Sequence, residues 1–114
     1  MENTDNQTFK YDMPRTDKYI AQVIKEEVSR HFDRTIEDII GASHKHLLTI
    51  PRHAIVYFLK MHTGLSLRNI SAEVGRKDHS TAIHAIKNIN DFMDTQHNFK
   101  IGMLDLNEKI KKRL

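Results

Sequence analysis

The sequence predicts an all-α fold, in the form of a compact six-helix domain. Apolar residues recur at three- and four-residue steps through most of the chain, and no segment shows the strict alternation typical of a half-buried strand. Capping residues or glycines stand at most of the segment ends. A chain of 114 residues has the length of one domain.

The first predicted helix follows a polar segment. Residues 1–15 lack a period and are interrupted by Pro14, so we expect a flexible N-terminal arm ahead of a folded domain at 16–114. Thr16 is the expected helix cap. The apolar stripe of this helix consists of Ile20, Val23, Ile24, Val28 and Phe32.

A short second helix and a longer third helix are expected next. Thr35 resembles an N-cap, and Gly41 is placed to end the short helix. The segment 42–49 has no clean period, which indicates an exposed loop. Pro51 suits the first turn of the third helix, where its missing N–H costs nothing. The packed face of that helix would hold Ala54, Ile55, Phe58, Leu59 and a hydrogen-bonded His62.

Three further helices complete the predicted fold. Ser66 would cap a short helix reaching about Val74, and Gly75 supplies a turn. Asp78 would begin the fifth helix, and Asn98 the sixth. The inward residues of the fifth helix are predicted to be Ala82, Ile83, Ile86 and Ile89, and those of the sixth Phe99, Met103, Leu106 and Ile110.

Composition excludes several classes of function. There is no cysteine, which removes disulfides, thiolate catalysis and cysteine-based zinc sites. No apolar run is long enough to span a membrane, and the N-terminus does not resemble a signal peptide, so a cytoplasmic protein is expected. The eight histidines show no ligand spacing of a known metal motif. We therefore expect no metal, no cofactor and no enzymatic activity.

The segment GRKDHSTAIHAIKNI, residues 75–89, indicates the function. Two short amphipathic helices joined by a glycine turn form the pattern of a helix-turn-helix, whose second helix enters the DNA major groove. Short hydroxyl side chains and a histidine in the first turn can reach base edges. Asp78 would fix the helix start by accepting a hydrogen bond from the backbone N–H of Ser80 or Thr81. Arg76 and Lys77 would face phosphates.

The run SLRNISAEVGRKDHSTAIHAIKNI, residues 66–89, resembles the C-terminal DNA-binding domain, domain IV, of the bacterial replication initiator DnaA. The similarity extends upstream through PRHAIVYFLKMHTG. It implies a fold of the TrpR and DnaA domain IV type and recognition of a short, non-palindromic DNA box in control of replication initiation. It also implies that double-stranded DNA is the partner of a monomeric protein.

The resemblance also implies roles for individual residues. Residues that would contact bases are Asp78, His79, Ser80, Thr81 and Leu67, with Arg68 as an added contact at a position where some relatives have proline. Residues that would contact the DNA backbone are Arg52, Lys60, Lys77 and Lys87, and Lys45 and Arg76 are included by their positions. His44 falls where the family usually has a minor-groove arginine, and neutral imidazole matches that groove less well than guanidinium does.

Two alternatives remain open. The chain has no G-x-x-x-x-G-K-[ST] loop, so nucleotide binding is not expected in it, and it is either an excised initiator domain or a free-standing relative, with a slight preference for the latter. The rival to DNA reading is a protein-interaction or transcription-regulating relative that has lost box-specific reading. A nuclease activity is not expected, because the sequence lacks the paired carboxylates or the ligand set that metal-assisted phosphodiester cleavage needs.

Overall fold

The computed structural model describes residues 15–43 and 45–114, and all the regular structure in these ranges is α-helical. This confirms the predicted all-α, helix-turn-helix fold. The helices are α1 (Arg15–Phe32), α2 (Ile36–Ile40), α3 (His46–His62), α4 (Leu67–Glu73), α5 (His79–Thr95) and α6 (His97–Arg113). No helix in the described ranges is long and apolar enough to cross a membrane.

Helix α3 lies at the centre of the fold. It packs mainly against α1 and α5, and it also contacts α2 and α4. Phe58, Ile55 and Leu59 of α3 are fully buried, because their spacing puts them on the sides that face these neighbours. The largest buried residues contributed by the other helices are Ile24, Ile39, Ile70, Ile89, Met103, Leu106 and Ile110.

The C-terminal end of α6 is attached to α1 by an ion-pair network. Arg113 donates from Nη1 to Glu27 Oε2 and from Nη2 to Glu26 Oε1, both at 2.7 Å, and Arg30 also donates to Glu27 at 2.7 Å. Burial alone would raise the pKa of the Glu27 carboxyl, but hydrogen bonds from Arg113 and Arg30 outweigh it, and the pKa is lowered. The basic C-terminal segment therefore contributes Arg113 to the fold.

His62 is confirmed as a hydrogen-bonded histidine of the packed face. Its Nε2 lies 2.7 Å from Oδ1 of Asn107 on α6, and its ring stacks on Phe58 with the ring centroids 6.3 Å apart. The pair joins the end of α3 to α6.

Several predicted boundaries were wrong. Helix α1 already includes Arg15, so Thr16 lies inside it, and residues 1–14 of the expected arm lie outside the described residues. Helix α3 begins at His46 rather than near Pro51, so residues 46–49 of the expected loop are helical. Leu48 in this segment is buried, which favours the longer helix. Pro51 thus lies inside a helix rather than in its first turn.

Helix α6 begins one residue earlier than predicted, at His97. Gln96 ends α5 and also precedes α6, which leaves a single residue between the two long helices. Phe92 and Phe99 pack across this corner with their ring centroids 5.8 Å apart.

Candidate nucleic-acid interface

Asp78 fixes the start of α5 as predicted. Its backbone is extended, with φ −97° and ψ 132°, and Oδ1 accepts a hydrogen bond from the backbone N–H of Ser80 at 3.1 Å. Hydrogen bonds from the backbone and the side chain of Ser80 hold the pKa of the Asp78 carboxyl below its ordinary value, and the charges of His79 and Arg68 add to the effect. The Asp78 carboxylate is therefore ionised at the near-neutral pH at which DNA binding would take place.

The first turn of α5 presents its polar side chains to solvent. Asp78 and His79 have side-chain exposures of 72% and 59%, and their closest side-chain atoms, Asp78 Oδ1 and His79 Nδ1, are 3.5 Å apart. Ser80 and Thr81 are partly exposed. Four of the six residues predicted to contact bases thus lie together at one open helix end.

The start of α4 lies beside this helix end. Ser66 caps α4, because its Oγ accepts a hydrogen bond from the backbone N–H of Asn69 at 3.2 Å. Leu67 is half-buried against the core, whereas Arg68 is exposed and close enough for its charge to help lower the pKa of Asp78. Arg68 is therefore exposed near Asp78, whereas Leu67 packs partly against the core.

The turn between α4 and α5 requires a glycine. Gly75 has φ +75°, and a Cβ at this position would lie only 2.4 Å from the carbonyl oxygen of Ile40. Only a residue without a side chain allows this close approach in a left-handed conformation. The turn is therefore pressed against the end of α2, which holds the helix-turn-helix in one orientation on the domain.

Arg76 donates hydrogen bonds to carbonyl oxygens of its own chain. Its Nη1 donates to the carbonyl oxygen of Gly41 at 3.0 Å and to that of Val74 at 3.2 Å. Its Nη2 is buried and has no hydrogen-bond partner among the described residues. Nη1 of the guanidinium is therefore bound to the backbone of its own protein. The phosphate contact expected of Arg76 stays a prediction.

Arg52 is also directed inward. It is 5% exposed, and it donates from Nε to the carbonyl oxygen of Ile39 at 2.8 Å and from Nη2 to that of Ser43 at 2.9 Å. Burial, and next the charge of Arg76, lower the pKa of the Arg52 guanidinium. These bonds satisfy carbonyls at and beyond the end of α2, so Arg52 positions the loop. Its predicted phosphate contact stays a prediction.

Four predicted backbone contacts are solvent-exposed lysines. Lys45 immediately precedes α3, Lys60 lies near its end, and Lys77 is in the turn. Lys87 is on the outer side of α5, where it makes an exposed ion pair with Asp91 at 2.8 Å. These lysines are exposed, whereas the two arginines bind carbonyl oxygens of their own chain. His44, the minor-groove candidate, lies outside the described residues.

One cleft beside α5 was not predicted. It has a volume of about 290 Å³ and lies between α3 and α5, lined by His53, His84, Lys87, Asn88 and Asp91. His53 Nδ1 lies 2.9 Å from Asn88 Nδ2, and burial, with smaller effects from Arg52 and His84, lowers the pKa of His53. A neutral His53 thus joins the two helices. Only a contact between helices could have revealed this pair.

The inward face of α5 also differs from the prediction. Ala82, Ala85 and Ile89 are fully buried, whereas Ile83 is 49% exposed. Buried residues at steps of three and four define the inward side, and Ile83 stands roughly 100° away from Ala82 around the helix. The prediction that Ile83 points inward was therefore wrong.

No group of three or more histidine, aspartate or glutamate side chains that could hold a metal ion occurs within residues 15–43 and 45–114.

Comparison with known proteins identifies one family. The profile described as the bacterial DnaA protein helix-turn-helix matches residues 21–89, which include α4, the turn and the first part of α5. The match therefore covers the whole candidate interface that the structure describes.

The similar curated proteins are chromosomal replication initiator proteins DnaA. The protein from Lacticaseibacillus casei is 34% identical over 94 residues, which are 82% of this chain and 21% of that protein. The protein from Flavobacterium psychrophilum is 31% identical over 87 residues, or 76% of this chain and 18% of that protein. The protein from Levilactobacillus brevis is 29% identical over 97 residues, which are 85% of this chain and 22% of that protein. The chain spans about a fifth of the length of these relatives.

Proposed function

This chain belongs to the bacterial DnaA helix-turn-helix family, and from that membership we propose that it binds double-stranded DNA sequence-specifically, at a DnaA-box-like site, in the control of replication initiation. It does so as a monomer, through residues 16–114, and by binding rather than by catalysis or nucleotide binding. A cytoplasmic location remains a prediction.

The observation that supports this proposal most strongly is the open end of α5. Asp78 orders the first turn through its bond to Ser80, and beside it His79 is exposed and Thr81 is partly exposed. An α-helix fits the major groove, where hydroxyl and imidazole groups can donate to or accept from base edges. A helix end that is both ordered and open can read bases without first being rearranged, which lowers the entropic cost of binding.

Exposed lysines on two neighbouring segments support the approach to DNA. Lys77 and Lys45 come from the turn and from the loop before α3, which Arg76 and Arg52 connect through the carbonyls of Gly41 and Ser43. We therefore propose that lysines contact the phosphates and that the two arginines hold the segments carrying them. Each neutralised phosphate should contribute about −0.9 to the slope of log affinity against log salt.

The test is selection of bound sequences from random duplexes, followed by titration of the selected duplex and a scrambled duplex at two salt concentrations. We expect one enriched non-palindromic box and a single protein bound per box. Equal affinity for the selected and scrambled duplexes, or no enrichment, would reject sequence-specific reading.

A protein-interaction role is the second candidate, and one observation favours it. Ile101 and Leu104 lie on one side of α6 and are 51% and 52% exposed. Two large apolar side chains three residues apart on a helix form a contact surface that a partner protein could cover. The duplex titration separates the two candidates, because a purely protein-binding relative would show no preference for any box.

A further inference from the structure

Ile83 is an exposed, branched apolar residue on the side of α5 that is proposed to enter the major groove. It is 49% exposed, although Ala82 and Ala85 on either side of it in the sequence are fully buried. Isolated apolar residues are common on protein surfaces, so exposure by itself indicates nothing. Its position on the helix is what makes it informative.

The neighbours of Ile83 place it on the outer surface of the helix. It lies three residues after Ser80 and four residues before Lys87, and residues at these separations are adjacent along one side of a helix. It is also four residues after His79, one turn further from the helix end. Ile86, three residues further on, is partly buried against the core, and the other exposed side chains between the base-reading turn and Lys87 on α5 are polar. Ile83 is therefore the large apolar side chain that this part of α5 exposes.

The major groove offers one apolar partner for such a side chain. Thymine has a C5-methyl group there, whereas the other three bases present only donors and acceptors, and apolar side chains recognise thymine through that methyl group. Burial of one methyl or methylene group contributes enough to change an affinity about threefold to fivefold.

We propose that Ile83 contacts the C5-methyl group of a thymine in the DNA box and thereby selects thymine at that position. This inference rests on the proposed DNA-reading function and adds a specificity residue to it. Ile83 lies one turn of α5 beyond His79 and Ser80. Its contact would therefore add a base further along the groove to those that His79 and Ser80 read.

The test replaces the thymines of the selected box by uracil, one at a time. Uracil lacks only the C5-methyl group, so its hydrogen bonds are unchanged. We expect the unaltered protein to bind about threefold to fivefold more weakly at one such position. We expect the Ile83→Ala protein to bind the thymine box as weakly as the unaltered protein binds that uracil box, with no further loss when the same thymine is replaced.

Ile101→Ala is the matched control, because it removes the same side chain at nearly the same exposure from α6. It should retain the full thymine-to-uracil difference. Thermal unfolding of both variants shows whether they fold, and the uracil series on the unaltered protein does not depend on any variant.

The outcomes separate this inference from the proposed function. If the protein prefers its box to a scrambled duplex but no uracil position changes its affinity, Ile83 does not read thymine, although DNA reading stands. The same holds if the uracil effect persists in Ile83→Ala. If no box is preferred at all, the proposed function itself fails.

Discussion

Arg76 and Gly41 are 35 residues apart in the sequence and are joined by a hydrogen bond of 3.0 Å from Nη1 to the carbonyl oxygen. The bond connects the turn of the helix-turn-helix to the loop that follows α2. Arg52 donates to Ile39 and Ser43 on either side of the same carbonyl. Two arginines that resemble phosphate contacts in the sequence thus hold the backbone that presents Lys45 and Lys77.

Replacing Arg76 by alanine should destabilise the fold. Hydrogen bonds from a charged donor contribute about 1.5–3 kcal/mol, and we expect a loss in that range in the free energy of unfolding, measured by urea denaturation. Lys77→Ala is the control, since Lys77 is exposed and adjacent. Unchanged stability in Arg76→Ala, together with a salt slope flattened by about one unit, would instead support the phosphate contact that the sequence predicted.

Gly75→Ala should cost at least about 2 kcal/mol of stability, because the residue has a left-handed conformation and its new Cβ would meet the carbonyl oxygen of Ile40. Gly64→Ala is the matched control, since a Cβ at Gly64 has no atom within 4 Å. Chemical denaturation of both variants checks this, and equal stability of the two would show that the turn does not need a glycine.

Arg52→Ala should change folding stability and Lys60→Ala should change DNA binding, although both residues are on α3. Arg52→Ala removes one buried and one partly buried hydrogen bond and should cost about 3 kcal/mol of folding stability. Lys60→Ala should leave stability unchanged, weaken binding to every duplex equally, and flatten the salt slope by about one unit. Denaturation and salt titrations measure both effects, and a stability loss in the Lys60 variant would contradict its assigned role.

Asp78 should contribute to stability in a pH-dependent way. Its pKa in the folded protein lies below the ordinary value of 3.8, so the cap contributes fully above that value and is lost as pH falls through the lower folded-state pKa. Asp78→Asn keeps a capping oxygen that does not titrate there. Melting curves from about pH 6 to about pH 2 should show the unaltered protein losing stability relative to Asp78→Asn. A constant difference across the range would mean that the carboxylate does not cap α5.

His79→Ala should reduce binding to the selected box by about 1–3 kcal/mol while hardly changing binding to a scrambled duplex. The imidazole stands in solvent at the open end of α5 with no buried contact to lose. Duplex titrations of this variant and of Thr81→Ala measure the effect. An equal loss on both duplexes would assign these residues to the DNA backbone instead of the bases.

The sequence by itself determined the helical fold and the local features of the interface. Asp78, Ser66 and Thr35 cap their helices through backbone N–H groups two or three residues away, and Gly75 makes its turn, so adjacent residues contain the information needed. The run from Asp78 to Thr81 predicted an open helix end, which the structure has.

Only the tertiary structure decided which way several side chains point. Arg52 and Arg76 turn inward because carbonyl oxygens of Ile39 and Gly41, distant in the sequence, come within hydrogen-bond reach. Ile83 turns outward because the helices packed on α5 cover the side of Ala82 and not its own. The spacing of residues in the sequence predicts which of them lie on the same side of a helix. The arrangement of the neighbouring helices decides which side is buried.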